Sequence, residues 1–302
     1  MPTGRAPAPL THDAFRQRQR SVELDGLSYK PLRVAYTDVG GKGDPVILLH
    51  GIPTWSFLYN EVIPLLAKTA RVVAPDFLGH GYSDRRDFFD RSLLAQTDMI
   101  IRLMDHLGIE RADFVGHDTG GGVALIMAID HPERVARLVL TNVVAYDSWP
   151  IDDMIALGNP NWRSKSPREV ADFLASGLPD GIYNKHRLTP EFRAGIVAPY
   201  SDEEGKISII RNASALNTNH TTMLVERHGE IRAPTLCLWG MQDPWQTIRD
   251  GERLSREIPD ARLVRVENAS HWIPHDTPET FADEIRNFLA RPNGNNVETR
   301  KS

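Results

Sequence analysis

Short apolar β-type runs alternate with helix-patterned stretches along most of this chain, and that rhythm leaves few architectures open. Leu32–Asp38, Pro45–Leu49, Arg71–Pro75, Ala112–Gly116, Arg137–Asn142, Pro234–Trp239 and Ala261–Val266 read as strands. Ser56–Lys68, Leu93–Leu107, Val123–Asp130, Thr247–Ile258 and Pro278–Leu289 read as helices. Such alternation predicts an α/β fold, a mostly parallel twisted sheet with helices on both faces. The rhythm stops at Val143–Gly229, where proline-punctuated helical pieces carry no convincing buried strand. A helical insertion between two strands reads as a cap over the carboxyl edge of the sheet, where open α/β sheets bind ligands. The expected organisation is a mobile arm over 1–20, a core over 21–142 and 230–291, a helical cap over 143–229, and a tail over 292–302.

Composition narrows the partners. With 302 residues the chain is long enough for one large domain with an insertion. Forty acidic against 35 basic residues give a net charge of -5, which offers no basic face for nucleic acid or an anionic membrane. The expected partner is a small, largely apolar molecule, with the protein a monomer or homodimer. Cys237 is the single cysteine and sits in an apolar run, so no disulfide framework exists. Met1–Leu10 lacks the apolar segment of a signal peptide, and no run reaches about 18 apolar residues. The cytoplasm is therefore the expected location.

Chemistry concentrates at strand ends. The strand Ala112–Gly116 runs into Gly116-His117-Asp118-Thr119-Gly120-Gly121-Gly122 and then into a helix. That is the setting of a nucleophile elbow, with aspartate where serine is usual. A serine attacks acyl carbon, whereas a positioned carboxylate attacks an electrophilic alkyl carbon and becomes an ester itself. Asp243 follows the strand ending Leu238-Trp239-Gly240, and His271 follows the strand ending at Val266. Nucleophile, acid and histidine thus appear in triad order, each just beyond a strand end. The expected roles are attack by Asp118, then hydrolysis of the ester by a water that His271 deprotonates, with Asp243 holding the imidazole. His50-Gly51-Ile52-Pro53 ends another strand, and its turn can aim the Ile52 N–H beside that of Thr119 as an oxyanion hole. No metal or cofactor is called for; the spacing of His271, His275 and Asp276 is accounted for by the triad.

These residues resemble the epoxide hydrolase and haloalkane dehalogenase branch of the α/β-hydrolases. The resemblance spans about Leu32 to Leu289 and rests on His50–Tyr59, Val73–Asp84 and His117-Asp118 followed by Gly120-Gly121. It implies a cap at Val143–Gly229 and places Asp118, Asp243 and His271 on the nucleophile, acid and base positions. The sequence departs from the dehalogenase pattern, where a tryptophan after the nucleophile helps hold the halide: here Thr119 and Ile52 fill the usual donor positions. Fluoroacetate dehalogenases carry arginines there, and this chain has none. Epoxide hydrolases protonate the opening ring with cap tyrosines, yet Ala215-Leu216-Asn217-Thr218-Asn219-His220 contains none. Tyr146, Tyr183, Tyr200, Asn219 and His220 are the candidate acids, Trp149 a candidate leaving-group donor, and Pro53, Phe77 and Trp272 candidate pocket walls.

The expected function is cofactor-independent hydrolysis through an Asp118 ester, with epoxides ahead of haloalkanes. Ester, lactone or C–C bond hydrolysis with Asp118 as a base, and a non-catalytic hydrolase-like binder, are the alternatives.

Overall fold

A computed structural model describes residues 9–41 and 43–290. Its centre is an eight-stranded sheet in the order β1-β2-β4-β3-β5-β6-β7-β8. The strands are β1 (Arg20–Leu24), β2 (Leu32–Val39), β3 (Pro45–Leu49), β4 (Arg71–Pro75), β5 (Ala112–Asp118), β6 (Val135–Val143), β7 (Thr235–Gly240) and β8 (Ala261–Val266). β1 and β2 join antiparallel, as do β2 and β4, and all other pairs are parallel.

The central strands are mostly apolar because both faces are covered. Side chains alternate across a strand, so Ile47 and Leu49 of β3 join one core layer while Val46 and Leu48 join the other. Phe114 and Val115 divide in the same way on β5, as do Leu138 and Val139 on β6. Cys237 is fully buried in the first of these layers.

Two departures from expectation concern the first 68 residues. Residues 9–20, expected within a mobile arm, instead form the helix His12–Arg18 and lead into β1. Thr11 caps that helix through its side chain. Phe15 is 3% exposed and meets Trp55 and Phe57 edge-on, each with ring centroids 5.6 Å apart. Leu10 and Asn60 exchange hydrogen bonds, and the His12 N–H donates to Glu191 at 2.7 Å. Apolar burial and polar ties thus hold the segment at both ends. Ser56–Lys68, expected as one helix, is a 3₁₀ turn at Ser56–Tyr59 and a short helix at Ile63–Leu66. Pro64 fits only the first turn of a helix because it lacks an N–H, so the helix restarts there. The tail expected over 292–302 lies outside the described residues.

Between β6 and β7 the described residues are helical, with the longest pieces at Pro167–Gly177 and Glu203–Ser214. They build their own apolar cluster of Leu157, Val170, Leu174, Tyr200, Ile209 and Ile210, joined by Ile52 from the core. No helix among the described residues is long and apolar enough to cross a membrane.

Candidate active site

The strand order creates the site. From β3 the chain crosses to β4 on one side, then returns to β5 on the other. The carboxyl ends of β3 and β5 therefore diverge into a crevice, the switch point where α/β sheets bind ligands. Ile52 stands just beyond β3 and Asp118 ends β5, so the two meet across that crevice.

Asp118 has φ 52° and ψ -123°, a backbone conformation that a residue with a Cβ rarely adopts and that the surroundings must enforce. Gly116 and Gly120 allow it, because a Cβ at either would meet the facing backbone of strand or helix. The helix Thr119–Asp130 consequently starts hard against the sheet, four residues earlier than the apolar pattern suggested. Asp118 Oδ1 accepts the Ile52 N–H at 2.8 Å, and the Thr119 N–H supports the same carboxylate. A Cβ on Gly51 would fall on that carboxylate, so this turn needs glycine. His50 pins the turn from behind: its Nδ1–H donates to the Gly51 carbonyl at 2.8 Å, and its Nε2 accepts the Phe77 N–H at 2.9 Å. Both bonds require neutral imidazole, and burial pulls its pKa down to about 4.

His271 is 2% exposed, and its Nδ1–H donates to Asp243 Oδ2 at 2.9 Å. That bond leaves Nε2 as the basic nitrogen. Asp243 is fixed in turn by the Trp245 and Gln246 N–H groups at 2.8 and 3.1 Å on Oδ1 and by Asn142 Nδ2 at 2.7 Å on Oδ2. Burial opposes charge on His271, but the charge of Asp243, the bond to it and the charge of Asp118 prevail and raise its pKa above 6.5. Burial likewise raises Asp118 above the usual carboxylate value, opposed by His271 and by the Thr119 and Ile52 N–H groups.

Asn142 escaped the sequence reading. It sits near the end of β6 with φ 45°, accepts the Gly240 N–H at 2.9 Å through Oδ1, and orients Asp243 through Nδ2. Its one legible signal was an asparagine, tolerant of left-handed backbone, at a strand end. His117 packs beside the site. Its ring lies 4.6 Å from that of His271, and its Nε2–H donates to the His271 carbonyl at 2.8 Å.

Asp118, Thr119, His271, Ile52, Pro53 and Trp272 line one cavity of about 60 Å³. Trp149, Met154, Phe173, Leu174 and Leu216 from the stretch between β6 and β7 close it. Its walls are mainly apolar.

The remaining candidates lie elsewhere or are already engaged. Tyr146 donates its hydroxyl to Glu257 at 2.9 Å, and burial raises its pKa. Tyr183 is 46% exposed, and its backbone N–H is held by Asp276. Tyr200 is fully buried in the cluster of the inserted helices. Asn219 is exposed and His220 half-buried at the helix Asn219–Thr222, away from the cavity wall. Phe77, expected as a pocket wall, packs on His50 in the core at 4.7 Å. Trp149 does line the cavity, but its Nε1–H is given to Thr221 Oγ1 at 2.7 Å. Trp272 also lines it, and its buried Nε1 has no hydrogen-bond partner within the described protein. Among the described residues no cluster of His, Cys, Asp and Glu is arranged to hold a metal ion.

This sheet order, the strained elbow and the strand-end constellation are those of an α/β-hydrolase, and the model of the alpha/beta hydrolase fold family matches residues 44–278. The chain belongs to that family. It is 32% identical over 270 residues to haloalkane dehalogenase 2 of Mycobacterium tuberculosis, covering 84% of this chain and 90% of that one. It is 29% identical over 296 residues to a cis-3-alkyl-4-alkyloxetan-2-one decarboxylase of Xanthomonas campestris, covering 88% and 98%. Among solved structures, the epoxide hydrolase CorEH superposes with a TM-score of 0.76 at 25% identity, covering 90% and 98%.

Proposed function

We propose that the protein hydrolyses small, largely apolar alkyl electrophiles through a covalent ester on Asp118, with short haloalkanes as the first substrate class. The observation that carries the nucleophile role is the 2.8 Å bond from the Ile52 N–H to Asp118 Oδ1. In an ester hydrolase with a serine nucleophile or a general base, that hole must receive the substrate's carbonyl oxygen. Here the aspartate's own carboxylate occupies it, which leaves Oδ2 for attack.

In the first step Oδ2 bonds to the alkyl carbon, and the carbon–halogen bond breaks with its electron pair leaving on the halide. In the second, His271 Nε2 takes a proton from water and the hydroxide adds to Asp118 Cγ. The negative charge gathers on Oδ1, where each backbone donor is worth about 3 kcal/mol. Collapse breaks the bond from Cγ to the alkoxide, which takes the proton from His271 and leaves as the alcohol. Asp118 keeps the oxygen of the water and releases its second proton.

Preference for a halide over an epoxide rests on the cavity wall. Opening an epoxide leaves an alkoxide that needs an acid, and no tyrosine lines the cavity. A halide leaves without a proton, so it needs no such acid. The likeness to haloalkane dehalogenase 2 supports the same order. One turnover in ¹⁸O-labelled water, with excess enzyme and 1-bromobutane, tests the mechanism. The reading requires bromide release and one labelled oxygen in the peptide bearing Asp118; label in butanol alone contradicts it. Turnover of epoxides but of no haloalkane contradicts the substrate class.

A further inference from the structure

One buried acid close to the base has no part in the proposed chemistry and does not line the cavity. Asp276 ends the short helix Ile273–Asp276 that follows His271, and it is 5% exposed. Its carboxyl group gathers three backbone donors. Oδ2 accepts the Ser270 N–H at 2.9 Å and the Tyr183 N–H at 2.9 Å, and Oδ1 accepts the Asn184 N–H at 3.2 Å. The first donor belongs to the residue before His271, the other two to the helical stretch between β6 and β7. The same two parties hold the rest of the loop. Ser270 Oγ donates to the Gln242 carbonyl at 2.9 Å, and the His271 carbonyl accepts the His117 Nε2–H at 2.8 Å. From the inserted stretch, the Gly181 carbonyl accepts the Trp272 N–H at 3.0 Å, and a Cβ on Gly181 would meet the Trp272 ring at 2.5 Å. Buried N–H groups are costly to leave unpaired, so the loop and the stretch that share Asp276 hold their places together.

We infer that Asp276 is a positioning residue for the base, acting on hydrolysis of the Asp118 ester and not on its formation, an inference that rests on the two-step reaction proposed above. By clamping Ser270 to Tyr183 and Asn184 it sets the backbone from which the His271 ring reaches into the site. Formation of the ester needs Asp118 held at the Ile52 turn, to which Asp276 makes no bond. Hydrolysis needs His271 Nε2 within reach of a water poised over Cγ, and such a transfer is sensitive to small displacements of the base. The second step therefore depends on the inserted stretch being seated on the loop at Tyr183 and Asn184.

The test reads the two steps apart. Asp276→Ala removes all three acceptors, while Asp276→Asn keeps the outline and, with its oxygen toward Ser270 and Tyr183, two of the bonds. In a single turnover of 1-bromobutane, bromide release reports ester formation and butan-1-ol reports hydrolysis. Asp276→Ala is expected to slow butanol formation at least about tenfold while bromide release stays within about twofold of wild type. Asp276→Asn should show the same separation to a smaller extent, and it serves as the test should alanine impair folding. A second readout needs no substrate: the downfield proton resonance of the His271 Nδ1–H, identified by its loss in His271→Gln, should broaden in Asp276→Ala as the loosened loop exchanges that proton with water. Equal slowing of both steps, an unaltered butanol rate, or an unchanged resonance in a folded variant overturns the assignment. A wild type that releases no bromide overturns the mechanism above instead, and the resonance then decides the clamp by itself.

Discussion

At the scale of single residues, the site depends on groups that are close but chemically silent. Gly51 is one. It makes no side-chain contact, yet its lack of a Cβ is what lets the Asp118 carboxylate reach the Ile52 N–H. Gly51→Ala should lower kcat at least about 100-fold, as loss of an oxyanion donor does, and should lower the unfolding midpoint as overpacking does. Activity within threefold of wild type would contradict that placement. The pH profile belongs here too. Ester hydrolysis needs neutral His271, whose pKa is raised above 6.5 despite burial by Asp243 and Asp118. Turnover should therefore rise with pH along a limb set by His271, which no longer has the Asp118 charge beside it once that carboxylate is an ester. His50 and His117 are pushed down by burial and remain neutral throughout that range. A flat or falling profile from about pH 5 to 8 would show that His271 is not the base. At this scale the sequence displayed the Asp118, Asp243 and His271 set and the turn at Ile52, because their motifs sit at strand ends. It hid Asn142, whose role comes from its contact with Asp243 rather than from a motif.

At the scale of elements, legibility followed burial. β3 and β4 begin and end where the apolar runs do, because strands covered on both faces must be apolar along their length. β1 was missed: Arg20–Leu24 is an edge strand of mostly exposed residues with no apolar run to signal it. The helix His12–Arg18 was missed for a related reason, since one buried residue, Phe15, carries its packing. Phe15→Ala should therefore cost about 3 kcal/mol of stability by chemical denaturation, the usual scale for deleting a buried aromatic ring. A change under about 0.5 kcal/mol would mean that the segment contributes nothing to the fold.

Across the whole molecule, residues 118, 243 and 271 are brought together by strand order alone. The switch between β3 and β5 opens the crevice, β7 and β8 deliver acid and histidine to the same edge, and the inserted helices close it. That architecture followed from the alternating pattern. The position of the cavity walls did not, because prolines and short helices between β6 and β7 give no period from which a face can be read. Tyrosines that seemed available as acids in the sequence were thus engaged or distant in space.

The central claim, that Asp118 is the attacking nucleophile, is tested most directly by intact mass. His271→Gln removes the base of the second step and leaves the first untouched. Incubated with 1-bromobutane, this variant should gain the mass of one butyl group in place of a proton, mapped to Asp118, and release one equivalent of bromide. No mass gain with haloalkanes or epoxides, in a variant that remains folded while the wild type turns over either substrate, would contradict the account.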